Sequence, residues 1–212
     1  MIQVYAVTRH PGPRLPIAPA LAAVPHAGLA MIVGPLEGGG SAVERMWRYE
    51  AVIESLTRGR DLLPMRYGTV LADAAAATAQ LAARRDEFAR ALDRVSGAAE
   101  VSVRAAEVTR PTDEPPISDR SSVGVAYLET TAAAARRAAA VGRAIHQPLA
   151  LAARASIVRN RRRAGELLTA AYLVERTHVA AFGELVGDLQ DRHPELALLC
   201  TGPWPPYSFT ER

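Results

Sequence analysis

The chain reads as an α+β protein of two units, each an antiparallel sheet backed by helices, the second ferredoxin-like with an enlarged helical segment. Three observations predict this. Short apolar or alternating segments recur along the whole length, separated by stretches whose apolar residues repeat every three or four positions. Their order is β-β-α-β-α-β, then a long helical stretch, then β-α-β. Residues 109–121, TRPTDEPPISDRS, are polar and carry three prolines, the composition of a linker. The boundary is set near residue 97, giving an N-terminal unit of residues 1–97 and a C-terminal unit of residues 98–212. A length of 212 residues accommodates one large domain or two small ones.

Each element has a local reason. Ile2, Val4 and Ala6 alternate with Gln3, Tyr5 and Val7, the pattern of a strand. A connection with Pro11, Pro13, Pro16, Pro19 and Pro25 follows, then the apolar strand Gly28–Leu36 and the turn Gly38-Gly39-Gly40. Ser41 and Glu44 form a capping-box pair ahead of a helix with Ala42, Met46, Tyr49, Ile53 and Leu56 on one face, ending near Gly59. Residues 62–71 form a second apolar run. Asp73 can cap a helix carrying Leu81, Phe88, Leu92 and Val95, with Gly97 ending it. Val101, Val103 and Ala105 then alternate with Glu100, Ser102 and Arg104, a strand with one face in water. An alanine-rich helix is expected from about residue 122 to 147, with Pro148 kinking it or opening another. Leu167–Val174 reads as a strand, Thr177 as the cap of a helix bearing His178, Phe182, Leu185 and Leu189, and Leu196–Cys200 as the last strand.

Composition excludes more than it assigns. Apolar residues make up 49%, but alanine supplies 42 of the residues and aromatics only 5%. All 25 basic side chains are arginine, so chemistry that needs a lysine, including a P-loop grip on phosphate or a Schiff base, is excluded. A net charge of +3 is a weak field for nucleic acid. A basic nucleic-acid-binding module remains an alternative that predicts steeply salt-dependent binding. Cys200 is the single cysteine, so no intrachain disulfide forms and a reducing cytoplasm is the expected home. The N-terminus lacks a secretory pattern, and no uncharged apolar run reaches the ~18 residues of a membrane span.

Candidate chemistry is sparse. Gly38-Gly39-Gly40-Ser41 before a helix could hold an anion but matches no nucleotide fingerprint, and a turn with an N-cap explains it. His10, His26, His146, His178 and His193 never stand at metal-ligand spacing, so neither a metal nor a cofactor is expected. Cys200 is read as a small buried hydrophobe at the end of a strand; the competing reading is a small-molecule-binding ferredoxin-like enzyme that uses it as nucleophile. The pairs Asp86-Glu87 and Asp188/Asp191, and the run Arg159–Arg163, read as solvated helix positions. The tail is different. Trp204, Tyr207 and Phe209 stand among Pro203, Pro205 and Pro206, which hold the backbone extended at low entropic cost. Either these rings pack back on the body, or they are aromatic anchors for another protein.

The tail Thr201-Gly202-Pro203-Trp204-Pro205-Pro206-Tyr207-Ser208-Phe209 resembles the C-terminal signature of the gas vesicle protein GvpL/GvpF family. Residues 63–70, LPMRYGTV, resemble that family's LPxRFGT block, with Tyr67 in the aromatic position. Val4–Val7, Gly124–Leu128 and Ala171–Val174 resemble its opening strand, mid-chain motif and AYLV strand. Tyr49 replaces an expected histidine and Thr169 an expected asparagine. The resemblance implies a non-catalytic accessory or minor structural protein of gas vesicle assembly, cytoplasmic and associated with the vesicle. It further implies stoichiometric contact with the hydrophobic shell protein GvpA and other gas vesicle accessory proteins, with no nucleic-acid or membrane partner. Arg66 and Tyr67 are expected to organise the region between the domains, and Trp204, Tyr207 and Phe209 to hold the tail there. Stabilising the fold and touching the partner are both open to these five residues.

Overall fold

β1 (Ile2–Arg9) is buried without interruption from Gln3 to Thr8, so both of its faces are covered. In the computed structural model, which describes residues 1–9, 20–36, 38–58, 60–108, 135–159 and 165–210, this strand is central to the first sheet. Around it stand β2 (Ala22–His26), β3 (Leu29–Pro35), β4 (Leu62–Pro64) and β5 (Val70–Leu71), in the order β2-β3-β1-β4 with β5 also paired to β1. Every one of these pairings is antiparallel. The expected alternation of β1 fails for a physical reason: helices cover the sheet, so no face is left to water. The register of β1 on β3 also slips between Val4 and Ala6, a bulge at Tyr5 that no sequence pattern announces.

β2 was not expected, because Pro25 reads as part of the preceding connection. Pro25 instead lies opposite Ala30 on an edge strand, where a missing N–H costs no inner ladder bond. Gly28 belongs to the turn rather than the strand. Ala27 and Gly28 both have positive φ, 44° and 81°, the geometry of a two-residue hairpin turn whose twist matches its strands.

Three helices cover this sheet. α1 (Ala42–Thr57) starts at the expected capping box: Ser41 N donates to Glu44 Oε2 at 2.7 Å, and Glu44 N donates to Ser41 Oγ at 3.2 Å. It buries Tyr49, Val52, Ile53 and Leu56 against Tyr5, Ile32 and Leu62. The helix expected after Asp73 is two helices, α2 (Ala74–Ala83) and α3 (Arg85–Val95). Asp73 does cap the first, accepting from Ala76 N at 2.9 Å. Arg84 leaves helical geometry between them; its guanidinium reaches forward to Glu87 and lies 4.8 Å from the Phe88 ring centre, tying down the start of α3.

β6 (Ala98–Glu107) is followed by helical residues 135–141, a π-helical turn Gly142–His146, and α4 (Gln147–Leu151), with Pro148 in its first turn. Then come β7 (Ala155–Val158), β8 (Glu166–Glu175), α5 (Val179–Arg192) and β9 (Leu196–Trp204). The sheet order β7-β8-β6-β9 is second, third, first, fourth by chain position, the ferredoxin-like arrangement. Its core joins Val101, Val103, Ile145, Leu149, Tyr172, Phe182, Val186 and Leu189. β7 was not expected; it is short, and its pairing with β8, Ala155 opposite Leu173, is what makes it a strand. Thr177 does not cap α5. It lies in a 3-10 turn, Arg176–His178, and the helix begins after His178 without a side-chain cap.

The chain divides into Met1–Glu100 with Pro203–Arg212, and Val101–Gly202. The last residues therefore count with the first unit and not with the second. The connection at residues 10–19, the linker at 109–121, the Gly124–Leu128 motif and Arg161–Arg163 lie outside the described residues. Among the described residues, no helix is long and apolar enough to cross a membrane.

Candidate functional site

The block at residues 63–70 is built around the bulge. β4 runs antiparallel to β1, Pro64 opposite Ala6, and Met65 N donates to the Tyr5 carbonyl at 2.8 Å. The chain then turns: Thr69 N and Thr69 Oγ1 both donate to the Arg66 carbonyl, at 3.1 and 2.7 Å. Gly68 takes φ +85° at the third position of that turn, which a side chain would strain. β5 rejoins β1, with Val4 N donating to Thr69 O at 2.9 Å and Val70 opposite Gln3.

Tyr49 holds this loop from beneath. Its buried hydroxyl donates to Met65 O at 2.7 Å, with Val4 O at 3.1 Å and Tyr5 O at 3.4 Å around the same proton. Its ring stacks on Tyr5 at 4.9 Å, and Tyr67 meets it edge-on at 5.4 Å. Burial, helped by the neighbouring Glu50 charge, pushes the Tyr49 phenol well above its ordinary range, so it stays a donor. Above these rings a cavity of about 320 Å³ is walled by Gln3, Tyr5, Leu36, Arg45, Tyr49, Tyr67, Gly68 and Val70.

Two carboxylates fasten the tail to the same unit. The Tyr207 hydroxyl donates to both oxygens of Glu50, at 3.2 Å each. Ser208 N and Ser208 Oγ donate to Glu100, at 2.8 and 2.7 Å. Pro205, Pro206 and Phe209 are buried, and the 3-10 turn Tyr207–Phe209 packs on α3. Sequence reasoning placed Glu100 on the wet side of its strand; it is only 4% exposed because the tail lies over it.

All five singled-out residues thus lie in the first unit. Tyr67 joins the tyrosine cluster, Tyr207 and Phe209 anchor the tail, Arg66 is exposed at the start of the turn, and Trp204 is 51% exposed. Sequence reasoning missed Gln3, Arg45, Glu50 and Glu100, and took Tyr49 only for an apolar helix position and a departure from a family pattern. A buried tyrosine hydroxyl needs a partner, and that was the available signal. Cys200 corrects another expectation. It is exposed on β9, which continues past it to Trp204, and what burial it has pushes its thiol up, away from the reactive thiolate. Among the described residues, no group of histidine, cysteine and carboxylate side chains could hold a metal ion.

Comparison with known proteins agrees with the motifs. Residues 2–211 match the family described as gas vesicle synthesis protein GvpL/GvpF. Gas vesicle protein L of Streptomyces sp. (strain CB03234) is 33% identical over 179 residues, covering 76% of this chain and 66% of that protein. Gas vesicle protein F of the same strain is 29% identical over 180 residues, covering 77% and 76%. The crystal structure of GvpF from Anabaena sp. PCC7120 superposes with a TM-score of 0.84 at 16% identity, over 100% of this chain and 96% of that one. GvpF from Microcystis aeruginosa gives 0.81 at 16% identity, over 100% and 99%, so the fold is shared where little sequence is. With its two antiparallel sheets and the motifs in order along its length, the chain belongs to the gas vesicle synthesis protein GvpL/GvpF family.

Proposed function

We propose that this protein is a cytoplasmic accessory or minor structural component of gas vesicle assembly that binds the hydrophobic shell protein GvpA stoichiometrically, without catalysis, beside other accessory proteins. The carrying observation is the apolar surface of the first unit. Leu36, Val43, Met46, Trp47, Tyr67 and Trp204 are each at least 41% exposed there. Val43 and Trp47, one turn apart on α1, face away from its buried residues, and Met46 lies in the first turns at the edge of the buried stripe. Large exposed apolar side chains on a charged protein are what a partner with greasy surface would cover. A shell protein that lines a gas space exposes such surface before assembly and aggregates through it. Covering it until a growing vesicle takes it over would suppress that route. Tyr67 and Trp204 then meet the partner, while Arg66, Tyr207 and Phe209 hold the surface that presents them.

The test is capture of purified GvpA by the whole chain under conditions that keep the shell protein soluble. Capture at a fixed ratio, weakened at least tenfold by Trp47→Glu, supports the reading; no association sinks it. Trp204→Ala separates two roles for that ring. Lost capture with an unchanged melting temperature assigns it to docking. A fall of several degrees with capture intact assigns it to packing.

A further inference from the structure

We propose that the cavity over the tyrosine cluster is a receptor for one aliphatic side chain of an extended peptide segment, whose backbone N–H is taken by Gln3 and whose neighbouring carboxylate is taken by Arg45. The inference deepens the shell-protein reading and rests on it for the identity of the partner, while the chemistry of the cavity stands on its own.

Gln3 is 5% exposed, and its amide nitrogen donates to Thr69 O at 3.2 Å. Its side-chain oxygen accepts nothing from the described residues, although it belongs to the cavity wall. Among the described residues no buried side-chain polar atom lacks a partner, so this oxygen is open at the cavity wall rather than sealed in, and a ligand N–H can reach it. Arg45 stands at the wall with one nitrogen donating to Gly40 O at 2.6 Å. Its other guanidinium donors make no hydrogen bond to the described residues, so a carboxylate or carbonyl can be gripped there. The remaining walls are the rings of Tyr5, Tyr49 and Tyr67 with Leu36 and Val70. About 320 Å³ is at the small end of the range for ligand cavities, which suits one side chain and its backbone better than a cofactor.

The walls also say what does not fit. One cation among three aromatic rings is a poor cradle for a phosphate group, which calls for several donors. A free amino acid would set its ammonium group in a wall whose described residues include no carboxylate. A peptide segment brings an apolar side chain, an uncharged N–H and a separate acidic side chain, and leaves no charge unanswered. The apolar rim at Leu36 and Tyr67 would cover the residues on either side.

The probe is the blocked peptide acetyl-Glu-Val-Leu-Val-Thr-amide, titrated into the ¹⁵N-labelled full chain while GvpA capture is measured in parallel. The side-chain amide of Gln3 and the backbone amides of Gly68 and Val70 should shift. Affinity should fall at least tenfold when the peptide's leucine becomes alanine, and at least fivefold for the Arg45→Gln protein. Val70→Phe, which fills the cavity from β5, should abolish the shifts; if that variant does not fold, the peptide exchange and Arg45→Gln decide alone. Unmoved resonances, or equal binding by the alanine peptide, overturn the receptor. So does acetate competing as well as the peptide, which would make the site one for a small acid. If GvpA is captured while these resonances stay still, the receptor fails and the shell-protein reading survives. If the peptide binds as described while GvpA is not captured, the receptor survives and the reading fails.

Discussion

Tyr49 in the first unit and Tyr172 in the second are the same side chain put to different uses. Both are buried, at 2% and 0% exposure, and burial pushes both phenols above their ordinary range. Tyr49 spends its proton on backbone carbonyls of two chain segments, β1 and the loop after β4. Tyr172 meets a single side chain, with His146 Nδ1 2.9 Å from its hydroxyl, and packs its ring on Phe182 at 5.3 Å. Backbone carbonyls do not titrate and cannot rotate away, whereas an imidazole does both. The first contact is therefore a permanent clamp and the second a conditional one.

The largest expected effect breaks the clamp. Tyr49→Phe keeps the ring stack but leaves the Met65 carbonyl without its donor, at a cost of about 2 kcal/mol. For a unit of this size that is roughly a 10 °C fall in melting temperature, read by calorimetry. Exchange of the Met65 and Thr69 amides should quicken with it, because the loop they anchor is what the hydroxyl holds. A loss below about 0.5 kcal/mol would show the hydroxyl to be incidental.

Tyr172→Phe should cost less, about 1 kcal/mol, because His146 is only partly buried and water can take its freed nitrogen. Tyr207→Phe extends the comparison to a third kind of acceptor. Its hydroxyl is shared between the two oxygens of a partly exposed carboxylate, and hydration of Glu50 should hold the cost below that of Tyr172→Phe. Urea unfolding of the three variants side by side tests the order. If Tyr207→Phe proves the most damaging, the tail and not the loop is the first unit's principal fastening.

The sequence reveals each of these regions to a different extent. The capping box at Ser41 and the Asp73 cap are legible because a cap is local: a few consecutive residues contain both donor and acceptor. The strands around LPMRYGTV and the buried aromatic tail are legible from apolar content and from family likeness. The bulge at Tyr5, the break at Arg84 and the burial of Glu100 are not. The bulge and Glu100 depend on partners far along the chain, Met65 for the bulge carbonyl and Ser208 for Glu100. Arg84 holds Glu87 and Phe88 close by, in a stretch whose apolar spacing runs on through the break. Thr177 misleads in the opposite way. The residue type suits a cap, but the 3-10 turn in front of α5 moves the helix start past it. The cavity was invisible because Gln3 and Arg45, read singly, are an ordinary strand residue and an ordinary helix residue.

The smallest effect tests the conditional contact by pH. Burial holds His146 below its ordinary value of about 6.5, so the folded state prefers the neutral ring. The unfolded chain then binds more protons than the folded one wherever the two values differ, and stability falls as the solution is acidified. The contribution is fully present above the ordinary histidine value and is lost as pH drops through it toward the lower value of the folded state. His146 also sits at the end of a π-helical turn, where protonation turns its Nδ1, 2.9 Å from the Tyr172 hydroxyl, into a donor and the phenol into its acceptor. Unfolding in urea between about pH 7.5 and pH 5.5 should therefore weaken the second unit, followed by the exchange of β8 amides. His146→Gln should flatten that slope while Tyr172→Phe leaves it in place, since burial and not the phenol depresses the ring. A slope that disappears with Tyr172→Phe would make the hydroxyl the cause, and Tyr172 would then fasten its unit as firmly as Tyr49 does the other.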